Sequence, residues 1–159
     1  EEMLGVDPKL KFATATPYGI SRAIRTVGNE ADVILIDTPP KADSDVRWVL
    51  RDSDLVLVPV SASQADVWAT HDVLDLAERA QKPTHIVMNR TRAGTRVGDD
   101  VAKSVAELGA GRLDASLANR VIYADALGRG LGVVEAKKSG PAADEVRALA
   151  QEVAGILEL

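Results

Sequence analysis

Polar side chains stand directly after three apolar runs of this chain. They are Asp37 and Thr38 after residues 33–36, Ser61 and Ser63 after 55–60, and Asn89, Arg90 and Thr91 after 85–88. In an open parallel sheet, ligands bind at the edge where the carboxyl ends of the strands meet. There a carboxylate can hold a metal ion or its waters, an amide can bind a base edge, and an arginine can neutralise anionic charge. The pattern therefore indicates a phosphate-bearing ligand bound with magnesium.

Alternative interpretations remain for single residues. An aspartate that ends a buried strand, as Asp37 does, is also a good helix N-cap or turn former. His71 and Asp75 lie four residues apart and could be combined with Ser61 or Ser63 into a nucleophile triad. Neither serine lies on a strand–turn–helix elbow, so a surface His–Asp pair is the better interpretation.

The elements that must position these residues alternate along the chain. Apolar runs predict strands at residues 32–37, 55–60, 85–88 and 112–117, with a short β-prone run at 9–15. Helical periodicity predicts helices at 20–27, 45–51, 64–80, 99–108, 119–127 and 141–156. We therefore predict the α/β class: one domain over residues 1–159, with a doubly wound, mostly parallel sheet flanked by helices.

Composition excludes several classes of function. The chain has 159 residues, 46% hydrophobic and 27% charged, which is ordinary for a globular protein. The absence of cysteine excludes disulfides, zinc–thiolate sites, iron–sulfur clusters and thiol nucleophiles. With only two Trp, two Tyr and one Phe, a stacking platform for single-stranded nucleic acid is not expected. No apolar run approaches the ~18 residues of a membrane span, and we expect a cytoplasmic protein.

Charge is distributed unevenly. The net charge is −5, yet residues 79–138 carry eleven Lys or Arg against six Asp or Glu, which is +5. Such a basic stretch on an acidic protein can form a face for anions or nucleic acid. It can equally be a solvated surface with scattered arginines, and the composition alone leaves both open.

Four blocks in series carry a family resemblance. They are ILIDTPP (34–40), DSDLVLVPVSASQADVWAT (52–70), IVMNRT (86–91) and NRVIYADALGRGLGVVE (119–135). In order and spacing they resemble the ParA branch of the ParA/MinD-type partition ATPases, which carry a deviant Walker A motif. The resemblance runs from about residue 32 to the C-terminus and implies a P-loop NTPase-like fold. The segment LGVDP (4–8) is a weaker likeness.

The resemblance implies a nucleotide site for ATP and Mg²⁺. Asp37 would be the catalytic Walker B acid that holds the magnesium through water. Thr38, Pro39 and Pro40 would form the switch that senses the γ-phosphate. Asn89 would hydrogen-bond the adenine beside Arg90, and the loop at Leu117 and Ala118 would border the base.

The resemblance also implies partners. Arg92, Arg96 and Arg120 would belong to a positive surface that binds DNA without sequence specificity. ATP would close a homodimer, and the dimer would bind DNA. A ParB-like adaptor would then stimulate hydrolysis and release. The cargo would be a plasmid, a chromosome region or a protein assembly. Such a protein is cytoplasmic and can associate with the nucleoid. The alternatives are a non-catalytic scaffold or binding module of the same fold, or another ATPase of the superfamily, such as one of cofactor biosynthesis or metal insertion.

One family feature is missing from these residues. The phosphate loop of the family is a Gly-rich turn with a signature lysine between a strand and a helix. None of the 12 glycines is followed by lysine, and the densest cluster, Gly128–Gly132, follows a helix. We therefore expect that residues 1–159 alone do not hydrolyse ATP at a family-like rate.

The missing strand has a structural consequence. In the family it lies between the strands that correspond to residues 33–36 and 55–58, so two strand edges would remain unpaired. Three remedies are conceivable: an N-terminal segment, a strand from another chain, or direct pairing of the two edges. The chain begins with Glu1-Glu2 and not with Met, which favours an N-terminal phosphate-loop segment outside these residues.

Overall fold

A computed structural model describes residues 11–38, 46–92 and 96–159. Three strands, β1 (Val56–Ser61), β2 (Thr84–Thr91) and β3 (Gly111–Ala118), form a parallel sheet in the order β1–β2–β3. The predicted strands at 55–60, 85–88 and 112–117 are confirmed, and so is the prediction of an open parallel sheet flanked by helices.

Seven α-helices are present in the described residues. They are α1 (Ile20–Gly28), α2 (Val46–Asp52), α3 (Gln64–Arg79), α4 (Arg96–Ala106), α5 (Val121–Gly128), α6 (Val133–Ala136) and α7 (Pro141–Ile156). Helix α3 connects β1 to β2 and α4 connects β2 to β3, as parallel strands require. Among the described residues, no helix combines the length and apolar character needed to span a membrane.

The core lies between the sheet and helices α3 and α4. Its buried members are Val58, Val60, Val67, Ile86, Met88, Val101 and Val105. Side chains alternate between the two faces of a strand. Val87, between Ile86 and Met88, is nevertheless only 5% exposed, so both faces of β2 are covered. This arrangement explains why β2 has an apolar run without alternation.

The buried face of α3 is not the one that its apolar periodicity favours. That periodicity favours a stripe of residues 69, 73, 76 and 80, but the buried residues are Val67, Thr70 and Ala77, and Ala69 is exposed. Thr70 can be buried because its hydroxyl donates to the carbonyl of Asp66 at 2.7 Å. Trp68 also lies on α3, and at 68% exposure it does not pack against the sheet, as a tryptophan in a helix would be expected to do.

The prediction of a buried strand at 32–37 is wrong within the described residues. Residues 33–38 have no strand pairing, and Val33 and Leu35 are 55% and 89% exposed. A strand needs a neighbouring backbone, and a cleft of about 1160 Å³ lies between this segment and β1. The direct pairing of 33–36 with 55–58 therefore does not form. Residues 11–15 of the β-prone run are also without regular structure, and residues 9 and 10 lie outside the described ranges.

The outer edge of β3 is closed by helix α7. The register shifts between Ile86, which pairs with Arg112, and Met88, which pairs with Ser116, so β3 carries a bulge. Glu152 of α7 accepts hydrogen bonds at 2.8 Å from the backbone N–H groups of both Asp114 and Ala115 in that bulge. Its carboxylate thus satisfies donors that would otherwise be open to another strand.

Helices α1 and α2 are joined on one side of the cleft. The rings of Tyr18 and Trp48 lie 5.5 Å apart, and the Arg51 guanidinium lies 4.9 Å above the Trp48 ring. Ser21 donates to Asp52, and hydrogen bonds from Arg51 and Ser21 lower the pKa of that carboxyl. Trp48 thus packs against Tyr18 and Arg51, while Ile24 of α1 and Leu50 of α2 line the cleft.

Truncation of the central core residue should destabilise this sheet. Ile86 is fully buried, so Ile86→Ala removes apolar contacts and leaves a cavity, and we expect a loss of about 2–5 kcal/mol in the free energy of unfolding. Val121→Ala is the control, since Val121 is 86% exposed and should change that free energy by less than about 0.5 kcal/mol. Denaturant unfolding measures both, and equal values would contradict the assigned core.

Candidate functional site

The three strands end at a common edge. Ser61, the last residue of β1, pairs with Asn89 of β2, and Thr91, the last residue of β2, pairs with Ala118 of β3. The expected convergence of polar residues is therefore met for the ends of β1 and β2, and the end of β3 lies beside them. Ser61 is held there by its own backbone N–H, which donates to the Asp66 carboxylate at 3.2 Å.

Asn89 and Arg90 form a fixed turn near the end of β2. The Arg90 backbone N–H donates to the Asn89 side-chain oxygen Oδ1 at 2.9 Å, and Arg90 has a positive φ of 51°. A non-glycine residue in this region is uncommon and is held there by its surroundings. Because Oδ1 is oriented by this bond, the amide orientation of Asn89 is set. Its NH₂ group has no hydrogen-bond partner within the described residues.

The ends of β2 and β3 are tied together. Asn119 donates its backbone N–H to the Thr91 carbonyl at 2.9 Å, and the Thr91 hydroxyl lies 3.4 Å from the Leu117 carbonyl. With its amide turned so that oxygen faces Arg92, Asn119 also accepts from Arg92 at 3.1 and 3.3 Å. The two loops therefore form one wall, which we call the loop wall (residues 89–92 and 117–120).

Helix α7 supports the loop wall through one carboxylate. Glu145 Oε2 accepts from the Ala118 backbone N–H at 3.1 Å and from the Tyr123 hydroxyl at 2.7 Å. Its Oε1 accepts from Arg120 Nε at 2.9 Å and Nη2 at 2.7 Å. The Glu145 side chain is only 18% exposed. A single side chain therefore fixes the end of β3 and the start of α5.

These contacts shift the titration of the cluster. Burial would raise the pKa of Glu145, but the hydrogen bonds from Arg120, Tyr123 and Ala118 outweigh it and hold that pKa below the ordinary value of 4.5. Burial, with the hydrogen bond to Glu145, strongly raises the pKa of the Tyr123 hydroxyl. The bond to Glu145 raises the pKa of the Arg120 guanidinium. Glu145 and Arg120 are therefore a charged pair at neutral pH, with Tyr123 as a neutral donor.

Asp37 and Thr38 belong to the extended segment 33–38, which is not part of the loop wall. Both are exposed on the extended segment 33–38, and Thr38 lines the cleft beside β1. The structure gives no hydrogen bond between Asp37 and the other described residues of the candidate site. Pro39 and Pro40 lie outside the described residues.

The described residues provide groups for the base of a nucleotide but no phosphate loop. The described residues contain no group of three or more His, Asp or Glu placed to hold a metal ion by themselves. One exposed carboxylate, Asp37, can hold hydrated magnesium when phosphates supply further ligands. The loop wall offers an amide and backbone groups for a base, but the sequence has no Gly-Lys phosphate loop.

The predicted DNA-binding arginines occupy different settings. Arg96 is exposed at the first residue of α4, Arg92 lies against Asn119, and Arg120 is paired with Glu145. His71, of the imagined triad, has its Nδ1 3.2 Å from the Val67 carbonyl of its own helix. No bond from His71 to Asp75 or to either serine is present among the described residues.

Sequence reasoning missed Glu145 and Tyr123. Glu145 lies seven residues before Glu152 on α7, and both acids adjoin the apolar stripe of residues 142, 146, 149 and 153. Two acids at a two-turn spacing beside a buried stripe could have indicated that the helix binds backbone donors of a strand edge.

Two known proteins are similar to this chain, one in sequence and one in fold. No family model matches the chain. The Maintenance of carboxysome distribution protein A of Halothiobacillus neapolitanus is 28% identical over 129 residues, covering 77% of this chain and 60% of that protein. The MinD cell division protein of Aquifex aeolicus superimposes with a TM-score of 0.73 at 18% identity, over 87% of this chain and 61% of that one.

In sequence and in fold, the chain resembles ParA/MinD-type proteins. The resemblance predicted from the four sequence blocks is thereby confirmed, and the structural match confirms the fold. The chain spans about 60% of the length of each of these two proteins.

Neutralising Glu145 should reveal its charge in the pH dependence of stability. Glu145→Gln removes the charged acceptor, and we expect roughly 1–3 kcal/mol less free energy of unfolding at pH 7. Because the folded pKa lies below 4.5, the carboxylate stabilises the fold fully above that pH and progressively less as pH falls through the folded pKa. The difference between wild type and variant, measured by urea unfolding from pH 7 to pH 3, should therefore shrink.

Glu78→Gln is the control for this prediction. Glu78 is exposed on α3, and its side chain makes no hydrogen bond or ion pair with the described residues, so its substitution should leave stability nearly unchanged at every pH. A Glu145→Gln deficit that stays constant from pH 7 to pH 3 would show that the charge of Glu145 does not contribute.

Proposed function

We propose that this chain is the nucleotide-responsive part of a ParA-like switch that positions a cargo. The carrying observation is the loop wall: in a ParA/MinD-type sheet, residues predicted to contact the base are joined by hydrogen bonds at the carboxyl edge. The name of the carboxysome relative, a distribution protein, supports a protein assembly as cargo in preference to a plasmid or chromosome region.

The adenine is proposed to bind at Asn89. Adenine presents a donor and an acceptor side by side, and an asparagine amide can match both. In Asn89 the bond from the Arg90 N–H sets the orientation of the amide, and the NH₂ group has no partner within the described residues. Leu117 and Ala118 border the base, and the Arg90 charge lies beside it. Guanine presents an oxygen where adenine has its amino group, so ATP should be preferred to GTP.

The phosphates are proposed to lie towards the cleft beside β1. Asp37 would hold magnesium through water, and Thr38 with Pro39 would respond to the γ-phosphate. Bound magnesium would supply charge neutralisation of the phosphates. Asp37 and Thr38 can be brought closer to the loop wall only if the segment 33–38 gains a neighbour, since it has no strand pairing of its own.

The cleft is proposed to receive the strand of a phosphate-loop unit. It is lined by apolar side chains of the segment 33–38, of α2 and of β1, among them Ile34, Ile36, Leu50, Leu55 and Leu57. Within the described sheet, β1 pairs only with β2, so its other edge can accept a strand. With such a unit the protein would be an ATPase, and without it the fold would serve as a scaffold, which is the alternative function.

The switch is further proposed to act as a homodimer on nonspecific DNA, with a ParB-like adaptor as partner and association with the nucleoid. Arg96 is the most available of the three proposed DNA-binding residues because it is exposed at the start of α4. Phosphate-directed binding weakens with salt. Affinity for duplex DNA measured at two salt concentrations in wild type and Arg96→Ala tests this part, and unchanged salt dependence in the variant would contradict it.

The 159-residue chain should bind ATP weakly and should not turn it over. Base contacts without a phosphate cradle are expected to give a dissociation constant in the millimolar range, equivalent to about 4 kcal/mol. In two-dimensional NMR, ATP should shift the backbone amides of Asn89, Arg90, Leu117 and Ala118, and GTP or tripolyphosphate should shift them much less. Phosphate release should stay at the level of an Asp37→Ala variant.

Two outcomes would contradict this proposal in different ways. Equal shifts with ATP, GTP and tripolyphosphate, or no shifts at these four amides, would remove the base site and favour the scaffold. ATP turnover that disappears in Asp37→Ala would show that a complete catalytic site exists in these 159 residues, against the expected dependence on a phosphate-loop unit.

A further inference from the structure

One half-buried carboxylate, that of Glu145, lies outside every residue set proposed above for the nucleotide. Glu145 is on α7, 25 residues beyond the loop wall, and is 18% exposed. It accepts four hydrogen bonds from three residues: the Ala118 backbone N–H, both Nε and Nη2 of Arg120, and the Tyr123 hydroxyl. Few positions in the described chain join so many donors to a single side chain.

The donors that bind Glu145 lie at the two ends of the loop between β3 and α5. Ala118 is the last residue of β3, Arg120 precedes α5, and Tyr123 lies in its first turn. Glu145 of α7 therefore holds both ends of the loop between β3 and α5. On its other side, the same loop is bonded to the end of β2 through the Asn119 N–H and the Thr91 carbonyl, at 2.9 Å.

Loss of the carboxylate would leave these donors without their acceptor. The Ala118 N–H and the Tyr123 hydroxyl are both half-buried, so water can replace the lost bonds only partly. Because the loops after β2 and β3 are bonded to each other, displacement of residues 117–120 would also move the turn of Asn89 and Arg90. A binding wall has to be held within about 0.5 Å to discriminate between ligands.

We propose that Glu145 is the positioning residue for base selection: it holds residues 117–120 so that the loop wall accepts adenine and rejects guanine. This inference rests on the proposed nucleotide function and extends it to a residue that does not touch the ligand. Glu145 acts through Ala118, Arg120 and Tyr123, so its removal should lower the preference for ATP over GTP and not merely reduce overall binding.

Glu152 provides a matched control on the same helix. It lies two turns further along α7 and also accepts two backbone hydrogen bonds from β3, but at the bulge of Asp114 and Ala115. Glu152→Gln therefore removes a comparable support of the same strand without releasing residues 117–120. A merely structural role of α7 would make the two substitutions equivalent.

The experiment compares wild type, Glu145→Gln and Glu152→Gln by NMR titration with ATP and GTP. We expect Glu145→Gln to reduce the ratio of ATP to GTP affinity at least fivefold, and Glu152→Gln to leave it within twofold of wild type. Amide hydrogen exchange, measured on the same samples, should rise at residues 118–120 in Glu145→Gln and at residues 114–115 in Glu152→Gln. Tyr123→Phe, which removes one of the four bonds, should give an intermediate ratio.

The possible failures are distinguishable. If wild type shows no preference for ATP, the proposed function fails and this inference falls with it. If wild type prefers ATP and Glu145→Gln keeps that preference, the positioning role alone is overturned, whether or not exchange at 118–120 rises. An equal loss of preference in both glutamine variants would also overturn it, because the effect would then follow from general loosening of α7 against the sheet.

Discussion

Hydrogen bonding at strand edges is the constraint on which the rest of this structure depends. The central strand β2 has partners on both sides, and its backbone groups are satisfied within the sheet. The outer strands each have one side left to satisfy. β3 uses two carboxylates of α7 for this purpose, Glu145 at its end and Glu152 at its bulge. β1 has one such contact among the described residues, from the Ser61 N–H to the Asp66 carboxylate, and it borders the cleft.

The two sides of the sheet therefore differ in how far their strand ends and loops are hydrogen-bonded. On the β2–β3 side, loops, strand ends and α7 are connected by bonds of 2.7–3.1 Å, so a ligand would meet preset groups. On the β1 side, Leu35 is 89% exposed and the segment 33–38 lies extended without a pairing partner. The base-selecting part of the proposed site is therefore fixed by hydrogen bonds within these residues. The phosphate-handling part has no such bonds among the described residues.

Sequence patterns predicted those features that arise from local periodicity and burial. The runs LVLVPV and HIVM form paired strands, β2 is buried on both faces, and Val101 and Val105 of α4 are buried in the core. The same reasoning failed at residues 32–37, where the run is equally apolar. A strand depends on its neighbour, and a single apolar run carries no information on whether that neighbour is present.

The candidate site was predictable to a similar extent. The position of Asn89 and Arg90 follows from the end of a strand, and the structure places them there. The role of Glu145 did not follow, because an acid on a helix is usually solvated and its partners lie 22 to 27 residues away in sequence. Likewise Thr70 could be buried only because its hydroxyl binds a carbonyl of its own helix, a contact that hydrophobic periodicity does not represent.

The way in which Glu145 binds residue 118 bears on how this protein can evolve. Because the carboxylate accepts from the backbone N–H of Ala118, the side chain at that position is free to vary, and only proline, which lacks the N–H, would abolish the bond. Arg120 and Tyr123 are bound through their side chains, so they and Glu145 should change together or not at all. Among homologues, correlated substitution at 120, 123 and 145 beside a variable position 118 is the pattern that this geometry would leave.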